Sequence, residues 1–259
     1  MNADLVDHYG TDGFEGTRLR RSPHGRLEFS RTRELVRRFL PARAGLRVLD
    51  VGGATGVHAA WLAAEGHRVH VIDPVPSHVE AAGALPGVTA SVGDARNLSF
   101  PDESADVLLM FGPLYHLTAA SDRASALAEA VRVLRPGGLL AAAGISRYLS
   151  LMEFGSGGRL TAADESPIAA LIATGAYDGH AGFMRTHFHT AAELRAEVAA
   201  HFRSVTVYGV EGPAWPALDA AGLDAYASLA DGAVRAARLV ERDPLLINAS
   251  AHLIAFAHR

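Results

Sequence analysis

Residues 48–56 read VLDVGGATG. Three apolar residues and an aspartate run straight into a cluster of glycines, the pattern of a buried strand that ends in a tight turn. Such a turn cradles a dinucleotide pyrophosphate, a nucleoside triphosphate or another adenosine-bearing cofactor. Which of these it holds decides the fold and the chemistry together.

Outward from the turn, short apolar runs alternate with helical patterns. Strands are expected at 45–52, 68–73, 87–94, 105–112 and 139–146. Helices are expected at 58–66, 76–85 and 121–138, the last capped by Ser121 and ended by Arg135-Pro136-Gly137-Gly138. This alternation predicts right-handed crossovers and a mostly parallel sheet covered on both faces. It stops near Arg147. Residues 147–189 carry GSGG and GAYDGHAG, with one helix expected at 166–174, a composition that suits a lid. Thr190 and Glu193 form a capping-box pattern that opens a helix to about residue 200. A sixth strand at 204–210, helical material over 216–242 and a last strand at 249–258 follow. The expected organisation is one α/β domain: N-terminal cap helices (1–44), a cofactor-binding core (45–146), a lid or substrate insertion (147–203), and C-terminal strands with a helical insertion (204–259).

Two fingerprints fail at the turn. The nicotinamide pattern G-x-G-x-x-G, read from Gly52, meets Ala54 and Val57 where it needs glycines. The phosphate-binding loop needs a lysine, and all 24 basic residues of this chain are arginines. What matches is D-x-G-x-G-x-G over Asp50, Gly52, Ala54 and Gly56, with Ala54 in place of the middle glycine. In this stretch the sequence resembles the class I S-adenosylmethionine-dependent methyltransferases. SADVLLMFGPLYHL (104–117) and ALAEAVRVLRPGGLL (126–140) extend the resemblance, so that it covers about residues 45–146. A weaker likeness, in HYGTDGFEGTRLRR and RTHFHTAAEL, is to bacterial small-molecule members with a GPLYHL loop. The resemblance implies a Rossmann-like, doubly wound, mostly parallel seven-stranded sheet with an antiparallel last strand beside the sixth. It implies S-adenosylmethionine as cofactor.

The cofactor carries no phosphate, so the helix after the turn has no anion to grip. Asp50 offers its charge to the ammonium of the methionine end. Gly52, Gly53 and Gly56 let the backbone pass close beneath the cofactor, and the methyl of Ala54 is tolerated if its φ is negative. Asp73, 23 residues after Asp50 and followed by Pro74, ends the second strand, where a carboxylate accepts from ribose hydroxyls. The resemblance makes Asp94 the acceptor for the adenine amino group, with the Ala95 amide reading the ring. It also sets the loop after the fourth strand beside the reactive methyl, with Phe111 and Gly112 along the cofactor and Tyr115 and His116 toward the acceptor. His116 suits a general base near neutral pH or, alternatively, a packing role against the lid. In related folds the N-terminal segment closes over the methionine end. Tyr9 is then a cover, Arg31 a partner for the carboxylate, and Arg18 and Arg20 contacts to the cofactor or to an acidic acceptor. Tyr148 and Met152 are candidate acceptor walls. His187 and His189 face one way from a short extended segment, as substrate contacts, a metal pair or neither. With no cysteine and no carboxylate cluster apparent beyond the cofactor acids, no metal is expected.

The N-terminus lacks a basic start followed by an apolar run, and no stretch of 18 residues is apolar and free of charge, so a cytoplasmic protein without a membrane partner is expected. A net charge of −4 speaks against a nucleic-acid partner. The leading expectation is methyl transfer, to oxygen or nitrogen, by in-line displacement onto a small-molecule acceptor. The rivals are a methyltransferase for peptide or RNA, a nicotinamide oxidoreductase, and a cofactor-binding protein without transfer activity.

Overall fold

The computed structural model describes Val6, Tyr9, and residues 16–179 and 184–259. Parts of two stretches read above, HYGTDGFEG and GAYDGHAG, lie outside the described residues. The described residues form nine strands: β1 (Arg47–Val51), β2 (Arg68–Asp73), β3 (Val88–Val92), β4 (Ala105–Met110), β5 (Leu134–Ile145), β6 (Ala176–Tyr177), β7 (Thr186–His187), β8 (Arg203–Gly209) and β9 (His252–His258). Seven form one sheet in the order β3-β2-β1-β4-β5-β9-β8, and β6 and β7 form a separate hairpin. Strands β1 to β5 run parallel, and β9 lies antiparallel between β5 and β8. This is the Rossmann-like sheet that the resemblance implied.

The sheet is buried on both faces because helices cover both. Consecutive residues of one strand therefore feed opposite cores. Leu49, Leu108 and Leu140 point into one, with Leu127 and Ala130 of the helix Ala120–Val133 and Leu194 and Val198 of the helix Ala191–Ala199. Val48, Leu109 and Leu139 point into the other, with Leu35 and Val36 of the helix Pro23–Phe39 and Leu62 of the helix Val57–Ala64. The helix Ala191–Ala199, inside the stretch read as lid, is thus a core element. Thr190 and Glu193 close its capping box.

Three expectations need correction. Ser121 does not cap its helix: the cap position is Ala119, without a side-chain cap, and Ser121 lies in the first turn. That helix also ends at Val133, not at the glycines. Leu134 already pairs with Ala105 of β4, and Pro136-Gly137 is absorbed by a register shift before Leu139 pairs with Val107. Tertiary strand pairing has overridden a local helix-stop signal. Finally, the segment after Arg147 carries two helices, Leu149–Ser156 and Ala162–Thr174, where the sequence suggested one.

Candidate active site

The strand order reverses between β1 and β4, and the crevice above that switch point is where open α/β sheets bind ligands. A cavity of about 860 Å³ opens there. At one end it is lined by Asp50, Gly52, Gly53 and Ala54 of the glycine turn, by Asp73 and Pro74, and by Asp94 and Ala95. Phe111, Gly112, Tyr115 and His116 of the loop after β4 line it as well, and so do Tyr9 and Arg18. Thus most of the residues singled out in the sequence meet in one space.

The turn is shaped by close approach. Gly52 has φ +71°, and a Cβ there would lie 2.8 Å from Pro113 Cδ. At Gly53 a Cβ would lie 2.7 Å from Asp50 Cγ. Gly56 does not line the cavity: it starts the helix Val57–Ala64 at φ +81°, where a Cβ would strike Leu85 Cδ1 at 2.8 Å. Its glycine allows close packing against Ala82 and Leu85. Ala54 departs from the condition set by the sequence. Its φ is +47°, in the left-handed region, where its Cβ is strained.

Asp50 is buried, and neither carboxylate oxygen has a hydrogen-bond partner. Burial and the neighbouring Asp73 push its carboxyl up to about 7, against a small opposing pull from the Ala59 amide. An unpartnered buried carboxylate at the cavity wall fits a cation supplied from outside, and the ammonium of S-adenosylmethionine is one. Asp73 is held differently. Its Oδ2 accepts from Ala54 N at 2.9 Å, and its Oδ1 from Val75 N at 3.0 Å, with His78 Nδ1 at 3.1 Å. It braces the turn as well as facing the cavity. Asp94 accepts from Arg96 Nη2 at 2.6 Å and Arg96 N at 2.9 Å, and these contacts, outweighing burial, hold its carboxyl at about 2.

Toward the other end, His116 Nε2 lies 3.2 Å from the Tyr9 hydroxyl, and the Tyr115 hydroxyl donates to Phe111 O at 3.1 Å. Leu149, Phe154, Tyr177 and Phe188 complete an apolar wall. Tyr148 and Met152 are not part of it. Tyr148 precedes the helix Leu149–Ser156, and Met152 packs with Leu27 and Trp215 and does not line the cavity. Arg20 is exposed and outside the cavity. Arg31 is also outside it, fully buried, with its guanidinium committed to Glu34, to Glu241 at 2.5 Å and to Val210 O at 3.2 Å. The role of carboxylate partner is therefore withdrawn for Arg31. Arg18 reaches the cavity but is forked onto Glu28, at 2.8 and 2.9 Å.

His187 and His189 are buried outside the cavity, their rings 4.6 Å apart. The sequence shows no carboxylate cluster beside them. In fact His187 Nε2 meets Glu193 Oε1 at 3.1 Å and His189 Nε2 meets Glu197 Oε2 at 3.3 Å. Glu193 and Glu197 sit four residues apart on one helix, so they share a face, and that spacing was the readable signal. Burial and His189 lower His187 to about 4, and Arg123 holds Glu197 through two nitrogens. A second group that sequence reasoning missed wholly is His24, Glu28, Glu211 and His252, whose ligating atoms lie within 4.8 Å of one another. His58 is another omission. It lines the cavity, and burial lowers it to about 4, so it is neutral at physiological pH.

Residues 49–142 match a family described as a methyltransferase domain. An uncharacterized methyltransferase of Mycobacterium tuberculosis strain H37Rv is 38% identical over 108 residues, covering 41% of this chain and 42% of that protein. The ubiquinone/menaquinone biosynthesis C-methyltransferase UbiE of Rubrivivax gelatinosus is 39% identical over 109 residues, covering 41% of each. The chain thus spans about two fifths of the length of these curated relatives. Among solved structures, an S-adenosylmethionine-dependent methyltransferase from Mesorhizobium loti superposes with a TM-score of 0.59 at 19% identity, over 90% of this chain and all of that one, which speaks for the fold. Residues 49–142 thus match a methyltransferase domain, on a fold shared with S-adenosylmethionine-dependent methyltransferases.

Proposed function

We propose that this chain transfers a methyl group from S-adenosylmethionine to oxygen or nitrogen of a small-molecule acceptor, as a cytoplasmic enzyme. The observation that carries the reading is the paired character of one cavity. An unpartnered buried Asp50 and the glycine turn stand at one end, and the Leu149, Phe154, Tyr177 and Phe188 wall at the other. A volume of about 860 Å³ falls within the range of small-molecule sites. The apolar wall suits an organic acceptor better than a charged polymer, and the UbiE relative, named for ubiquinone and menaquinone biosynthesis, is consistent with that. No helix among the described residues is long and apolar enough to cross a membrane.

Bound there, the cofactor supplies an electrophilic methyl on a sulfonium. Asp50 pairs with the ammonium, Asp73 accepts from the ribose, and Asp94 with the Ala95 amide holds the adenine. Gly53 and Ala54 form the floor, with Pro74, Phe111 and Gly112 along the sides. The protein's task is then to align the nucleophile and keep water out. In this reading His116, set against the Tyr9 hydroxyl, takes the acceptor's proton, with Tyr115 beside it. Calorimetry tests the binding step: S-adenosylhomocysteine is expected to bind at micromolar affinity, about −8 kcal/mol. Equal or tighter binding of NADH overturns the assignment.

A further inference from the structure

The group His24, Glu28, Glu211 and His252 joins three distant parts of the chain: the helix Pro23–Phe39, the turn after β8, and β9. Glu211 is fully buried. Its Oε1 lies 2.6 Å from His252 Nδ1 and 3.3 Å from His24 Nε2, and its Oε2 accepts from His252 N at 3.0 Å. Its side-chain partners are two imidazoles, both better known as metal ligands than as permanent counter-ions. Glu28 completes the group, with Oε2 3.8 Å from His252 Nδ1.

We propose that His24, Glu28, Glu211 and His252 form a divalent metal site, of the nitrogen–oxygen kind that takes Zn(II) or Co(II), in the cavity wall. Metal–ligand bonds of about 2.1 Å in a tetrahedron set ligand atoms about 3.4 Å apart. The three separations of 2.6, 3.3 and 3.8 Å bracket that spacing, so sub-ångström side-chain adjustment centres an ion. The ligands are held from behind, as metal ligands usually are. The His24 ring stacks on Trp215 at 4.5 Å, Arg18 grips Glu28, and the His252 backbone amide fixes Glu211. Arg18 does not exhaust Glu28, because a carboxylate offers about four lone-pair sites. The charge of the two carboxylates matches that of a divalent ion, and the proton between His252 Nδ1 and Glu211 leaves to solvent as the ion binds.

His24, Glu28 and His252 line the same cavity as the cofactor turn, which gives the ion an entry path and a face toward the acceptor. Four protein ligands close a tetrahedral shell, so the ion would act on the acceptor through its charge and not by direct coordination. This acceptor role rests on the transfer reading above; the site itself does not.

The test uses full-length protein stripped with chelator and then dialysed. Zn(II) is titrated by calorimetry and Co(II) by visible absorption, for the wild type, Glu211→Gln, His24→Phe and His187→Gln. His24→Phe keeps the stacking on Trp215 and guards against a Glu211 variant that does not fold. One equivalent of Zn(II) at micromolar affinity or tighter, with visible bands of four-coordinate Co(II), is expected. Either variant of the group should weaken binding by at least 100-fold, and His187→Gln should leave it unchanged. Absence of binding, or binding lost only in His187→Gln, overturns the proposal and leaves a proton-balanced network. S-adenosylhomocysteine affinity of the stripped protein is measured alongside; its absence would sink the cofactor reading instead, whatever the metal does.

Discussion

Asp50→Asn separates the stability of the fold from the demands of the site. Asp50 is a buried carboxylate without a hydrogen-bond partner, and its carboxyl is raised from 3.8 to about 7. A raised carboxyl means that the fold prefers the protonated form. Stability is then full below pH 3.8 and is lost as pH rises toward 7, where the loss levels off at about 4 kcal/mol. Between pH 5 and 8 roughly 2.5 kcal/mol of it should disappear. The asparagine carries no charge, so the variant should lack this loss and be more stable than wild type at pH 8. His252 is raised as well, because Glu28 and Glu211 outweigh its burial, and it too sheds stability as pH rises. The difference between wild type and variant at each pH removes that shared contribution. Denaturant unfolding at pH 5, 6, 7 and 8 measures it. Saturating S-adenosylhomocysteine should abolish the wild-type loss, since its ammonium supplies the missing partner. The variant should bind that ligand about 10- to 100-fold more weakly, the scale of a charged hydrogen bond. If wild type and variant show the same pH dependence, Asp50 is not the strained group described here. If the ligand does not protect, the ammonium does not sit beside it.

Three further outcomes follow from the same geometry. Ala54→Gly relieves the left-handed strain at φ +47°, offset by the flexibility glycine adds to the unfolded chain; a net gain of roughly 0.5–1 kcal/mol in thermal unfolding is expected, with cofactor affinity unchanged, and a loss of stability refutes the strain. Asp73→Ala strips acceptors from the Ala54 and Val75 amides, so it should cost about 1–3 kcal/mol of stability as well as weakening the cofactor by ~1.5–3 kcal/mol; a dissociation constant equal to wild type would remove Asp73 from the site. His116→Ala should lower turnover by ~10²–10⁴-fold with cofactor affinity nearly unchanged, whereas loss of cofactor binding or of solubility points to the packing role.

The fold was legible because its signals are local. The glycine turn, the strand-end acids Asp50, Asp73 and Asp94, and the 2-to-3.6 switches of period all lie within about 100 contiguous residues. Asp73 was readable by position, yet its bracing of the Ala54 and Val75 amides was not, because hydrogen bonds do not show in spacing. The negative φ allowed for Ala54 failed for a related reason: the turn sets the dihedral, and the residue only bears it. Arg31 was expected to pair with the cofactor carboxylate, but Glu241, 210 positions away, claims it. The His24, Glu28, Glu211 and His252 group was invisible in the sequence. Its members are single residues brought together by β9 entering beside β5, and no local motif announces them.

Methyl transfer itself is tested most directly by incubating the full chain with S-adenosylmethionine labelled in its methyl group, together with fractionated metabolite, peptide and RNA extracts. Label is expected in a small-molecule fraction, in proportion to S-adenosylhomocysteine formed, and is expected to be lost in Asp50→Asn at low cofactor concentration. Label in peptide or RNA, or tight cofactor binding with no label transferred to any fraction, would contradict the account.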